Sequence, residues 1–126
     1  MSVSVATLSG SGGLPKVEII VGFAHFAKFE FFIYDQNGQN PQKFAEGVNS
    51  DTIPDIFEIG TGGTVAVLHN RTIFWQAAIA SPTGAAGENY SVFIRVLQDG
   101  NIVGSDSKTG PMTSPITFGF LRLVVK

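Results

Sequence analysis

The chain reads as one all-β domain, a two-layer antiparallel β-sandwich of about eight or nine strands, and three observations predict it. Apolar residues recur at every second position over long stretches, the period of a pleated strand and not of a helix. The alternating stretches are crowded with Val, Ile, Phe and Tyr, the residues that pack best on a pleated surface. Turn-forming groups punctuate them at close spacing: Asn37-Gly38, Gly60 to Gly63, Ser81 to Gly84, Asp99-Gly100 and Gly110-Pro111.

Ser2 to Leu8 alternates as a first strand, and Gly10 to Pro15 is a glycine-rich connection or arm, so residues 1–15 belong to the single domain spanning 1–126. Lys16 to Asp35 is strand-like for 20 residues. At about 3.3 Å per residue that is too long for one ordinary strand, so it is read as two strands, or one strongly bent, broken near Gly22 to Phe26. Further strands are expected at Lys43 to Glu46, Asp55 to Ile59, Thr64 to His69, Thr72 to Ala80, Asn89 to Gln98, Asn101 to Ser105 and Ile116 to Val125. Asp99-Gly100 is the strongest hairpin signal, because both residues tolerate the positive φ of a type I′ turn. Asn40 to Val48, where Pro41 could open a first turn, is the helix candidate.

Alternation assigns the faces. Val17, Ile19, Val21 and Phe23, then Ala27, Phe29, Phe31 and Ile33, form an apolar inward set. The opposite parity mixes Lys16, Glu18, Lys28 and Glu30 with Ile20, Phe26, Phe32 and Tyr34. Tyr90, Val92, Ile94 and Val96 point inward and Ser91, Phe93, Arg95 and Leu97 outward, while Ile73, Trp75, Ala77 and Ile79 oppose Phe74, Gln76, Ala78 and Ala80. Strands apolar on both faces are usually covered on both faces, and there are no helices to supply the cover. Phe26, Phe32, Phe74 and Phe93 are therefore candidate interface residues.

Composition narrows the partners. A formal charge of −2 offers no broad attraction to nucleic acid, and charged residues are only 14% of the chain, which weakens colloidal repulsion. There is no cysteine, hence no disulfide, thiol nucleophile or thiolate metal site. The longest nearly apolar stretch, Ile19 to Ala27, is too short to span a bilayer as a helix, and no transmembrane segment is expected. The first residues lack the basic and apolar regions of a signal peptide, so synthesis in the cytoplasm is expected, with release by a signal-less route left open.

No motif points to catalysis, a metal or a cofactor. His25 and His69 lack partners at ligand spacing. Asp35 to Asn40 is rich in oxygen ligands, but Gln dilutes the ligand positions of a calcium loop and the glycine comes early, so a polar hairpin turn is preferred. Ser105 to Lys108 and Lys108-Thr109-Gly110 spell two fragments of penicillin-recognising enzymes around one shared lysine, a coincidence in a short loop. Glu18 and Glu30 share the outward parity of successive strands and are read as charge pairs with neighbouring lysines.

The strand spacing resembles immunoglobulin-like, jelly-roll-like and lectin-type sandwiches, without the Cys-Trp-Cys pattern of the first. Such a resemblance implies an architecture and no activity. The expectation is a non-enzymatic protein that forms a homo-oligomer and serves as an assembly subunit or multivalent binding module. One alternative is a lectin-like carbohydrate module using Asp35, Asn37 and Asn40 beside Tyr34. Another is a factor released without a signal, whose outward aromatics meet lipid.

Overall fold

The computed structural model describes residues 3–22, 26–49, 53–59, 63–80, 89–111 and 116–126. Among them run nine strands: β1 Ser4–Leu8, β2 Lys16–Val21, β3 Phe26–Ile33, β4 Gln42–Asn49, β5 Asp55–Glu58, β6 Thr72–Ala80, β7 Asn89–Gln98, β8 Asn101–Pro111 and β9 Ile116–Val125. They form a five-stranded sheet in the order β1-β9-β6-β3-β4 and a four-stranded sheet in the order β5-β2-β7-β8. The pairings are antiparallel except that β1 runs parallel to β9. The two-layer all-β sandwich read from the sequence is the fold.

The inward parities meet between the sheets. Phe29, Phe31, Ile33, Ile73, Trp75 and Leu121 from one sheet pack on Val17, Ile19, Val92, Ile94 and Val96 from the other, all essentially sealed from water. Phe57 of β5 bridges the layers with its ring 5.7 Å from Phe29 and 6.2 Å from Phe31. Phe23 and His25, and the turns at Ser81 to Gly84 and most of Gly60 to Gly63, lie outside the described residues. The break in Lys16 to Asp35 has a physical reason: β2 and β3 lie in different sheets, so the chain changes layer there. Asp99 and Gly100 have φ of 52° and 81°, the positive pair that a type I′ hairpin between β7 and β8 requires.

Three local expectations are corrected. The helix candidate Asn40 to Val48 is not helical: β4, Gln42–Asn49, includes the strand expected at Lys43 to Glu46, and a register shift opposite Phe31 and Phe32 sends the consecutive residues Phe44 and Ala45 both toward the core. That doublet mimics helical patterning. Thr64 to His69 is not a strand: Val65–Leu68 forms one 3-10 turn, whose three-residue repeat puts Val65 and Leu68 on the same buried side. β8 continues past Ser105 to Pro111, so Gly110-Pro111 ends a strand and is not a turn. It is a largely exposed edge strand, and edges carry polar residues without alternation.

Candidate functional site: the outer face of the five-stranded sheet

The outward parity of three adjacent strands builds a patch that the interior does not need. Phe32 pairs across the ladder with Phe74, and Phe74 with Phe120, so three rings form a row across β3, β6 and β9. Phe118, two residues along β9, joins them. Ring centroids lie 5.9 Å apart for Phe32–Phe74, 5.1 Å for Phe74–Phe120, 6.1 Å for Phe74–Phe118 and 6.2 Å for Phe118–Phe120. Each such pair contributes about 0.5–1.5 kcal/mol beyond area burial, which holds the cluster rigid on its sheet. It is nevertheless open to water, with Phe118 49% exposed. Toward the far end of the same face lie Ile116, 71% exposed, then Ala78, Ala80 and Phe26.

A polar network borders the cluster on the β3–β4 side. Lys43 Nζ lies 2.7 Å from Glu30 Oε2 and 3.2 Å from Glu46 Oε2, and 5.9 Å from the centre of the Phe32 ring. Gln76 Nε2 donates to Glu30 Oε1 at 3.0 Å. The hydrogen bonds from Lys43 and then Gln76 hold the Glu30 carboxyl below its ordinary range, and the bonds to Glu30 and Glu46 raise Lys43. Lys28 and Arg122, on the same outward parity, have no carboxylate partner among the described residues.

Of the interface residues expected from sequence, Phe32 and Phe74 sit inside the cluster. Phe26 shares their face but pairs with Ala80 six residues up the strand, about 20 Å away. Phe93 belongs to β7 and faces outward from the opposite sheet, where Ile56 and Ile102 are also exposed around Glu18 and Arg95. Phe118 and Phe120 were not singled out. Their signal is the alternation of Ile116, Phe118 and Phe120 against Thr117, Gly119 and Leu121, masked because two of those inward residues are small and only Leu121 is a large apolar group.

The polar loop is held by its own hydrogen bonds. Asp35 Oδ1 accepts the backbone N–H groups of Asn37 and Gln39, both at 2.9 Å, and Oδ2 accepts Asn40 Nδ2 at 2.8 Å. These bonds, Gln39 and Asn40 foremost, hold the Asp35 carboxyl below its ordinary range. Asp35 and Asn40 thus brace the turn, with Asn40 at φ 54°. Asn37 is exposed beside them, and Tyr34 lines a shallow depression with Gly38, Thr72 and Phe120, next to the aromatic cluster.

Glu18 and Glu30 do not converge: they occupy the outer faces of opposite sheets, and nearly buried Glu18 meets Arg95 Nη1 at 3.3 Å. His69 Nδ1 accepts the Val125 N–H at 3.0 Å, a structural use of the imidazole. Among the described residues no three His, Asp or Glu side chains gather as a metal site would need. No family model matches the chain, and no curated protein or solved structure resembles it beyond chance.

Proposed function

We propose that this chain is a non-catalytic, self-associating β-sandwich that acts through the outer face of its five-stranded sheet, as an assembly subunit or as one protomer of a multivalent binder. One observation carries this: Phe32, Phe74, Phe118 and Phe120 form a contiguous aromatic patch on a water-facing surface. Burying such surface gains about 25 cal/mol per Å², and a rigid sheet loses little freedom when it docks. The sparse surface charge, 14% of residues, leaves little repulsion to oppose association. Support for a non-catalytic role comes from the polar side chains: Asp35 and Asn40 brace a turn, and Glu18 and Glu30 are ion-paired on opposite faces. Sedimentation velocity over a concentration series tests the proposal. A mass that rises with concentration is expected, and a strict monomer at high micromolar concentration overturns it.

A further inference from the structure

The self-association proposed above leaves open how two copies meet, and the ladder registers supply an answer. We infer that a second copy packs its five-stranded sheet face to face on the first, about a two-fold axis that crosses the strands between Lys28 and Glu30. The outer face is a grid. One row holds Ala80 and Phe26; the next Ile116, Ala78, Lys28 and Val48; the next Phe118, Gln76, Glu30 and Glu46; the next Phe120, Phe74, Phe32 and Lys43; and beyond it lie Arg122 and Thr72. A two-fold axis across the strands keeps each strand over its own copy and reverses the order of rows.

With the axis between the second and third rows, Lys28 lies over Glu30 of the second copy, and Ile116 over Phe118. Phe26 then meets Phe32, and small Ala80 meets large Phe74. Most of the large apolar side chains cover apolar ones, small faces large, and Lys28, which makes no ion pair among the described residues, receives a carboxylate. Two contacts are mismatched: Ala78 over Gln76, whose amide is held by Glu30, and Val48 over Glu46 on edge strand β4, where the carboxylate reaches water. Two alternative placements set charges in worse surroundings. Moving the axis onto the Glu30 row stacks Glu30 on Glu30 and Glu46 on Glu46. Turning the axis along β6 places Phe118 over Glu30.

The area suffices. Four strands about 4.8 Å apart and eight residues long at about 3.3 Å cover about 500 Å² of flat sheet. Two such faces therefore remove at least about 1,000 Å² from water, the lower limit for a specific interface. An anionic bilayer is a poorer occupant, because Lys28, Lys43 and Arg122 on this face are opposed by Glu30 and Glu46.

The test uses the full chain as Lys28→Glu and Glu30→Lys, each alone and then mixed in equal amounts, with association read by sedimentation equilibrium. Each single variant sets like charges against each other twice per dimer and is expected to associate at least about tenfold more weakly than wild type. In the mixture both cross-copy pairs are opposite in sign, so a heterodimer is expected to form to within about threefold of wild-type affinity. Any folding defect within either chain persists in the mixture, so recovery reads the interface alone. Wild type that stays monomeric overturns both this inference and the self-association beneath it. Wild type that associates, with single variants unaffected or a mixture that does not recover, overturns the two-fold arrangement and leaves self-association standing.

Discussion

Removing the Asp106 carboxylate should destabilise the fold by about 2–3 kcal/mol, although Asp106 is only partly buried and sits on an edge strand. Its Oδ2 accepts the indole N–H of Trp75 at 2.9 Å, reaching from β8 in one sheet to β6 in the other. Trp75 is fully buried at 0% exposure. In Asp106→Ala the indole N–H stays in the core without an acceptor, and a charge-assisted bond is lost, which together give the stated cost. Asp106→Asn keeps a neutral acceptor and should cost about 1 kcal/mol.

The bond exists because the intervening position on β9 is Gly119. A Cβ there would sit on Asp106 Oδ2 and 2.6 Å from Trp75 Nε1. Gly119→Ala should therefore cost as much as Asp106→Ala, and the two losses should overlap in the double variant, leaving a coupling above about 1 kcal/mol. Urea unfolding followed by the fluorescence of Trp75, the sole tryptophan, measures all four species. Asp106→Ala within about 0.5 kcal/mol of wild type, or strict additivity with Gly119→Ala, would refute the reasoning.

Two more outcomes follow from the polar networks. Glu30 and Asp35 titrate lower in the folded chain than in the unfolded one, so their stabilisation is complete above about pH 4.5 and falls as pH drops through the folded values. Lys43 has the opposite sign: its contribution is complete below about pH 10.4 and is lost above that. The urea midpoint should fall at both extremes, and Glu30→Gln should flatten the acid limb; an unchanged acid limb in that variant contradicts the assignment. Gln98, buried, accepts the Ser9 N–H at 2.8 Å and donates to the carbonyls of Ser9 and Gly13, both at 2.9 Å. Gln98→Ala should cost about 2 kcal/mol and speed hydrogen exchange at Ser9, whereas unchanged exchange there argues against this tether.

The inward residues of β2, β3, β6 and β7 were legible in the sequence because strict alternation survives in strands with one face sealed in the core. It failed where geometry breaks the period. The bulge that turns Phe44 and Ala45 both inward gave β4 a helical look and left only its middle, Lys43 to Glu46, legible as a strand, and the solvent-facing polar residues of β8 hid the second half of that strand. Half of the aromatic cluster was visible as Phe32 and Phe74, while Phe118 and Phe120 were obscured by small neighbours on the inward parity of β9. Parity also cannot say which sheet a strand joins. Glu18 and Glu30 therefore looked like neighbours, and Phe93 looked like part of one patch with Phe74. The Asp106–Trp75 bond spans 31 residues and depends on a glycine in a third strand, so no local pattern announces it.

The solution mass of wild type beside Phe118→Lys bears most directly on the role of the sheet face. Phe118 is half exposed and its ring packs on outward rings of its cluster, Phe74 and Phe120, so the substitution should leave the sandwich folded. Association through this face predicts twice the 13.4 kDa chain mass for wild type at high micromolar concentration and a single chain mass for Phe118→Lys. Wild type at 13.4 kDa, or a variant that still pairs as wild type does, would contradict it.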